Sequence, residues 1–294
     1  MTGCLLEQIL STREALSVRF QPIVFIHNGV KRIDSYEALV RGPRGTHFEQ
    51  ANLLFDYVRR KHAENVVDRR CITVICNAVK DLPVDWRINI NVHAATLEQN
   101  DSTADFFGRQ IRSLGLHPDR FTLEIVEHSP AHNVPALISN IKALRSMGVR
   151  IALDDIGLGN SNYAMILDCR PDYFKLDAFF VRGVSHDRDR AAVVKSLMFL
   201  AKKMKGMVVA EGANTTEDIS KLAQLGVQYF QCNLLCPPLT AEDLLTRGPN
   251  LFPAGSCAPS ERKDKVFVPP AMLENQCSSW AVAPTCGRSD IAKD

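Results

Sequence analysis

Short apolar strands alternate with helices from residue 87 onward, and this alternation restricts the fold more than any other feature of the chain. Strand candidates are Arg87–Val92, Phe121–Val126, Arg150–Ile156, Tyr173–Asp177, Val208–Gly212 and Gln228–Gln231. Helical periodicity fills the gaps near 101–114, 133–147, 161–168, 189–204 and 216–225. Such alternation predicts parallel βαβ units. Ahead of it, Val18–Ile26 and Arg32–Arg41 flank Asn28-Gly29, a pairing that predicts an antiparallel hairpin. Helices over 51–60 and 67–81 follow. So many βα units favour a closed barrel, although an open sheet has the same periodicity. The expected fold is α/β, a closed β/α barrel in which the initial antiparallel hairpin departs from the regular (β/α)8 pattern. Gly115, Gly148 and Gly226 stand where helices should stop, as C-terminal caps do.

The pattern fails near Arg247. Pro249, Pro253, Pro259, Pro269, Pro270 and Pro284 punctuate a stretch rich in Ser, Ala and Gly. The expected organisation is a barrel over 1–246 and a largely disordered, solvated tail over 247–294. The barrel begins close to Met1, so no sensory domain is expected ahead of it.

Composition excludes several classes. The net charge is only +2, too little for a broad grip on duplex DNA, which needs many clustered cations. No apolar run approaches the roughly 20 residues that span a bilayer. The N-terminus has neither a basic leader nor a long apolar core, so no secretory signal is read there. The nine cysteines have neither zinc-site nor disulfide-framework spacing, and free thiols in a reducing cytoplasm are expected.

Polar residues recur at or near the strand ends: Glu37, Asn91, Glu124 and Glu127, Asp154 and Asp155, Lys175 and Asp177, Glu211, and Gln231. In a parallel barrel these ends converge on one face, where active sites sit. Alternation sharpens the point. Ile88, Ile90 and Val92 share one face of their strand, while Asn89 and Asn91 share the other. Burying Asn or Lys inside a barrel is costly unless a partner is present. Taken singly, each has a plainer reading. Asp154-Asp155 suits a turn, Lys175 a surface, Glu127 a helix entry and Asn91 a strand-ending cap. Their coincidence on successive strands favours a shared site. Carboxylates with an amide oxygen are hard ligands that suit Mg²⁺ or Mn²⁺ better than Zn²⁺. Two such ions roughly 3.5–4 Å apart can stabilise both oxygens of a phosphoryl transfer. Asp154-Asp155 suits a bridge between them, and Lys175 suits a water or a phosphate.

These residues lie in motifs that resemble the EAL family of cyclic di-GMP phosphodiesterases. The name-giving motif stands as Tyr36-Glu37-Ala38-Leu39-Val40-Arg41, after Phe20-Gln21-Pro22-Ile23. In order follow Ile90-Asn91-Val92, Leu123-Glu124-Ile125-Val126-Glu127, Ala152-Leu153-Asp154-Asp155, Phe174-Lys175-Leu176-Asp177, Val209-Ala210-Glu211-Gly212 and a late Gln231. Glu-Ala-Leu alone is a weak signal; the ordered set, over residues 5–246, is strong.

The resemblance implies a TIM-like (β/α)8 barrel whose first strand runs antiparallel, and Mg²⁺- or Mn²⁺-dependent opening of cyclic di-GMP to linear pGpG. It implies that Glu37, Asn91, Glu124 and Asp154 hold one ion, and Asp154, Asp155 and Glu211 a second, with Glu211 near the attacking water. Lys175 would engage water and phosphate, Gln231 would support the site, and Glu127 would anchor the loop after the fifth strand. Gln21, Leu39 and Arg41 would contact the dinucleotide, with Asp177 beside them; Arg41 offers a planar fork for a phosphate oxygen. A homodimer through the barrel and a protein partner are compatible with the resemblance.

The chain departs from the family in the loop after the fifth strand. The family reads Asp-Asp-Phe-Gly-Thr-Gly-Tyr-Ser-Ser; here Ile156, Leu158, Asn160 and Asn162 replace Phe, Thr, Tyr and the last Ser. Leu158 lacks the hydroxyl that Thr would offer Glu127. His93 stands where Ser is usual, and Asn214 replaces the second Glu of Ala-Glu-Gly-Val-Glu. In the family this loop couples metal binding to dimerisation, so the changes bear on rate and regulation more than on binding. The alternative expectation is a degenerate EAL domain that binds cyclic di-GMP or a protein partner without efficient turnover.

Overall fold

Asn28 (φ 49°) and Gly29 (φ 78°) both take left-handed backbone and close a two-residue turn between β1 (Ser17–His27) and β2 (Val30–Arg41). This is the turn whose twist matches a β-hairpin. The computed structural model of the chain describes residues 5–12, 15–99, 102–126, 133–157, 163–247 and 251, all within the unit Met1–Ser260. A short α1 (Leu5–Ser11) precedes the hairpin. After it come α2 (Ala51–Arg60), α3 (Glu64–Val79), β3 (Ile88–His93), α4 (Ala94–Leu97) and α5 (Thr103–Ser113). Then follow β4 (Phe121–Val126), α6 (Val134–Ser146), β5 (Arg150–Ile156), α7 (Tyr163–Cys169), β6 (Tyr173–Leu176), α8 (Ala178–Val181) and α9 (Arg188–Lys203). The series ends with β7 (Met207–Glu211), α10 (Thr216–Gln224), β8 (Tyr229–Gln231) and α11 (Ala241–Arg247).

The eight strands close into a barrel in sequence order. β1 runs antiparallel to both neighbours, β2 and β8, and every other pair is parallel. The chain is therefore the TIM-like barrel with an antiparallel first strand that the alternation, the hairpin and the family resemblance together predict, and the open sheet is set aside. The outer faces of the strands pack on the helices. α3 shows how: Val67, Cys71, Ile72, Ile75, Cys76 and Val79 recur at helical spacing and are all buried, the apolar stripe of a helix lying on a sheet. Gly115 takes φ +67° after α5, where Leu116 N–H reaches back to the Ile111 carbonyl at 2.9 Å. That closes the helix as its position in the sequence predicts.

The strands alternate, so the barrel interior receives every second side chain. Toward the end where the parallel strands begin, Ile23, Ala152, Tyr173 and Val209 form an apolar cluster with Met207 and Tyr229. Near the same end Arg87 pairs with Asp34, both buried. Two residues further along each strand the inward side chains turn polar. Ala152 gives way to Asp154, Tyr173 to Lys175, Val209 to Glu211 and Tyr229 to Gln231. On the antiparallel β1, Ile23 gives way to Gln21. One change of layer thus separates a sealed floor from a polar mouth.

A second buried carboxylate has a purely structural part. Asp218, 1% exposed, opens α10 and accepts from Gly183 N (3.0 Å), Ser185 N (3.0 Å) and Ser185 Oγ (2.8 Å). It pins the α8–α9 connection to α10. Burial pushes its pKa up, but these donors outweigh that and hold it below the usual carboxylate value. A carboxylate depressed in the folded state contributes stability above its unfolded pKa and loses it as pH falls through the folded value. Asp218→Asn is expected to cost about 1–3 kcal/mol at neutral pH. Urea unfolding below about pH 4 should show a smaller acid loss than in the wild type, since the ionisation that carries the difference is gone.

Five cysteines lie among the described residues, Cys71, Cys76, Cys169, Cys232 and Cys236, and all are buried free thiols. Among the described residues no helix is long and apolar enough to cross a membrane. Residues 252–294, most of the expected tail, lie outside the described residues. The hydrophobic period of the sequence does not mark α11; the helix is short, and only Leu244 of it is buried.

Candidate functional site

Lys175 is the centre of the barrel mouth. Its stem rises from β6 and is 1% exposed. Its Nζ lies 2.5 Å from Glu124 Oε2, 2.7 Å from Glu211 Oε1, 3.2 Å from Asp154 Oδ1 and 3.4 Å from Glu37 Oε2. One ammonium thus faces carboxylates from four other strands. The structure brings these five predicted residues together and rules out a surface position for Lys175.

Asp155 joins them by an irregularity. Adjacent residues on a regular strand face opposite ways, so Asp154 and Asp155 could not both point into the barrel. The β5–β6 register shifts between Leu153 and Ile156, and Asp155 takes φ 50°, a backbone region costly for a non-glycine residue. The bulge turns both carboxylates inward. Oxygens of Asp154, Asp155 and Glu211 then lie within 4.8 Å of one another. The next residue but one, Gly157, has φ +98°, and a Cβ there would come within 2.6 Å of Phe180 Cε2. Only glycine fits at that turn.

The remaining polar groups orient the acids. Asn91 Nδ2 donates to Glu37 Oε1 at 2.6 Å, and Gln231 Nε2 donates to Glu37 Oε2. Asn89 Nδ2 donates to Glu124 Oε1 at 2.6 Å. Gln21 points inward and is only 8% exposed. Its Nε2 donates to Asn233 Oδ1 and the Cys236 carbonyl, both at 3.1 Å, and its Oε1 accepts from Gln231 at 3.2 Å. It links the loop after β8 to the acid cluster.

Arg41 and Leu39 occupy the rim of β2. The hairpin register sets Gln21 opposite Glu37, Arg19 opposite Leu39 and Ser17 opposite Arg41. Directly opposed residues of an antiparallel pair share a face, so Arg19 belongs to the same inward row. Burial and the nearby charge of Arg19 lower the pKa of Arg41, against a rise from Glu37. Asp177 lies at the start of α8, where its Oδ1 accepts from Phe179 N at 2.6 Å; one of its oxygens is an N-cap. His93 is buried and donates its backbone N–H to Asp68 Oδ2 at 2.9 Å, tying the end of β3 to α3. Glu127 and residues 158–162 lie outside the described residues.

The electrostatics are unbalanced. Burial pushes Glu37 up, but Lys175 and the hydrogen bonds from Gln231 and Asn91 hold it below its ordinary value. Glu124 is pushed up to about 8 by burial, then by Glu37 and Asp154, against the pull of Lys175. Asp155 rises to about 6 through burial, then Asp154 and Asp177. Glu211 is raised well above its ordinary value by burial, then by Asp154, Glu37 and Glu124, despite Lys175. Lys175 is itself held strongly protonated: burial opposes its charge, and the surrounding acids overcome that. Five acids around one ammonium leave an excess of negative charge, which retains protons unless another cation is present.

These residues fit divalent ions of the hard class. The donors are carboxylate oxygens together with Asn91 Oδ1, which is buried and accepts no hydrogen bond. An orphaned buried oxygen beside acids that lack sufficient counter-charge is what a cation-binding site offers before loading.

Sequence reasoning assigned no role to Asn89, Asn233 or Arg19. Period-2 alternation already put Asn89 on the face of Asn91, and Arg19 on that of Gln21. Nothing local marked Asn233, whose contact with Gln21 spans 212 positions of the chain.

Comparison with known proteins agrees with this geometry. The EAL domain family model matches residues 5–238. The chain is 32% identical over 157 residues to the probable cyclic di-GMP phosphodiesterase PdeA of Escherichia coli, covering 53% of this chain and 21% of that protein. It is 30% identical over 161 residues to the bifunctional diguanylate cyclase/cyclic di-GMP phosphodiesterase MucR of Pseudomonas aeruginosa, covering 55% and 23%. The chain thus spans less than a quarter of the length of these curated relatives. Among solved structures, the PaMucR phosphodiesterase in its c-di-GMP complex superposes with a TM-score of 0.69 at 25% identity, covering 79% of this chain and all of that one. The manganese/cyclic di-GMP complex of Klebsiella pneumoniae BlrP1 gives 0.69 at 25% identity, covering 78% and 57%. An EAL domain protein of Listeria monocytogenes, at 23% identity and covering 84% and 98%, gives 0.72 and supports the fold. With a family match over most of its length and the motif residues gathered at one barrel mouth, the chain belongs to the EAL domain family.

Proposed function

We propose that this chain hydrolyses cyclic di-GMP to linear pGpG with Mg²⁺ or Mn²⁺. The observation that carries the reading is the gathering of Glu37, Asn91, Glu124, Asp154, Asp155 and Glu211 around Lys175, with the Asn91 oxygen unpartnered. Glu37, Asn91, Glu124 and Asp154 would hold one ion, and Asp154, Asp155 and Glu211 the other. When bound, such a pair supplies an activated water and neutralises charge on the attacking and leaving oxygens. The protein's own groups position the substrate. Lys175 donates to a phosphate oxygen or to the water, and Glu211 accepts the proton. Gln231 keeps Glu37 oriented. Arg41 would offer its guanidinium to the non-bridging phosphate oxygens, while its Nη1 also donates to the Val40 carbonyl at 3.0 Å. Leu39 and Gln21 line the path of the dinucleotide, with Asp177 at its edge. The setting is cytoplasmic, as one protomer or as a homodimer through the barrel.

The test is incubation of purified protein with cyclic di-GMP and either metal, with pGpG followed by chromatography. Folded protein that yields none under both metals refutes hydrolysis. Arg41→Ala is expected to weaken cyclic di-GMP binding roughly 10-fold or more, through loss of charge-assisted hydrogen bonds. Calorimetry in Ca²⁺ reads this directly.

A second reading is binding without efficient turnover. The observation favouring it is the altered sequence after Asp155, where Ile156, Leu158 and Asn160 replace Phe, Thr and Tyr. It predicts tight calorimetric binding of cyclic di-GMP with no pGpG. Absence of binding, with a protein captured instead, points to an interaction role.

A further inference from the structure

Glu124 is completely buried, so neighbouring protein groups set the direction of its carboxylate. Two contacts set its direction. Lys175 Nζ holds Oε2 at 2.5 Å, and Asn89 Nδ2 holds Oε1 at 2.6 Å. Asn89 is 3% exposed and sits on the inward face of β3, two residues before Asn91. Its lateral neighbours in the sheet are Glu37 on β2 and Thr122 on β4. Its amide reaches past Thr122, one step along β4, to meet Glu124.

The amide itself is poorly served. Asn89 Oδ1 is buried and accepts no hydrogen bond. A half-satisfied amide inside a barrel is worse for the fold than a small apolar side chain there. Ala152 and Val209 face the interior of the same barrel as small apolar groups. What an amide at position 89 adds is the fixed plane of Glu124. The two asparagines of β3 act on different acids, Asn91 orienting Glu37 and Asn89 orienting Glu124.

We infer that Asn89 is a positioning residue for the cation site, acting through Glu124. It locks Oε1 so that Oε2 is turned toward the cavity where Lys175 Nζ meets the other acids. This rests on the reading of Glu124 as a ligand of a divalent ion. Residues that hydrogen-bond a metal ligand typically contribute 10–100-fold to affinity.

The experiment is calorimetric titration of the full chain with Mn²⁺, without nucleotide, for wild type, Asn89→Ala, Glu124→Ala and the double variant. Asn89→Ser replaces Asn89→Ala if the latter does not fold, since its hydroxyl is too short to bridge to Glu124. Asn89→Ala is expected to bind Mn²⁺ roughly 10–100-fold more weakly. In the Glu124→Ala background the same substitution is expected to change affinity by less than about 2-fold, because no side-chain oxygen is left there for Asn89 to orient. Folded Asn89→Ala with wild-type affinity overturns the inference. So does an equal loss in both backgrounds, which marks a general packing role. Absence of Mn²⁺ binding by the wild type overturns the metal-dependent reading and this inference with it. Wild-type binding with an unaffected Asn89 variant overturns this inference alone.

Discussion

Replacing Lys175 by Met is expected to destabilise the metal-free chain by about 3–5 kcal/mol near pH 8, the usual cost of removing one partner from a buried ion pair. Met matches the stem in volume, so the loss isolates the charge. Lys175 Nζ is the cation that Glu37, Glu124, Asp154 and Glu211 share. Without it the acids must ionise against one another in a buried mouth, or take up protons. The pH dependence has a definite sign. An acid whose folded pKa is raised destabilises the fold as pH climbs through that value. Glu124 sits at about 8 and Asp155 at about 6 even with Lys175 present, and removing the ammonium moves such acids further up. The deficit should therefore be smaller at pH 6 than at pH 8. Mn²⁺ should recover part of it, since binding to the folded state alone adds stability by mass action. Urea unfolding in chelator at both pH values checks this. Equal stability of variant and wild type at pH 8 would mean that the acids do not depend on Lys175.

Glu37→Ala is expected to reduce turnover of cyclic di-GMP by at least roughly 100- to 1,000-fold, the scale of losing one preorganised electrostatic contact in an active site. Glu37 is held ionised: Lys175, Gln231 and Asn91 together outweigh its burial. Its removal deletes the carboxylate proposed to hold an ion and strands two amide donors, Asn91 Nδ2 and Gln231 Nε2, that now point at it. Steady-state pGpG production in Mg²⁺ and in Mn²⁺ measures the effect, with thermal melting to verify folding. Wild-type activity in the variant would refute the assignment of Glu37 to the metal site.

Much of the fold was legible because it is local. Asn28-Gly29 forces a tight hairpin whatever surrounds it. Gly115 can stop a helix with a left-handed backbone that other residues avoid. Alternation in Ile88-Asn89-Ile90-Asn91-Val92 fixes which side chains share a face. The EAL motifs added the ordering of the acids along the chain. The geometry at Asp155 was less accessible. Strand alternation alone sends Asp154 and Asp155 to opposite faces, and only the register shift with φ 50° at Asp155 brings both inward. Gln21 likewise carries no mark in the sequence of its tie to Asn233 and Cys236.

By itself, then, the sequence determined the hairpin, the order of the strands and the longer helices, the shared face of Asn89 and Asn91 on β3, and the identities of the acids at the strand ends. Those follow from backbone preference, hydrophobic period and ordered motifs, all properties of nearby residues. Only the tertiary structure decided which inward groups meet: Lys175 with four carboxylates, Asn89 with Glu124, Gln21 with the loop after β8. Closing a barrel sets the stagger of each strand against the next and places residues from far-apart positions across one mouth. No local pattern encodes that stagger, because it is fixed by the packing of the whole ring.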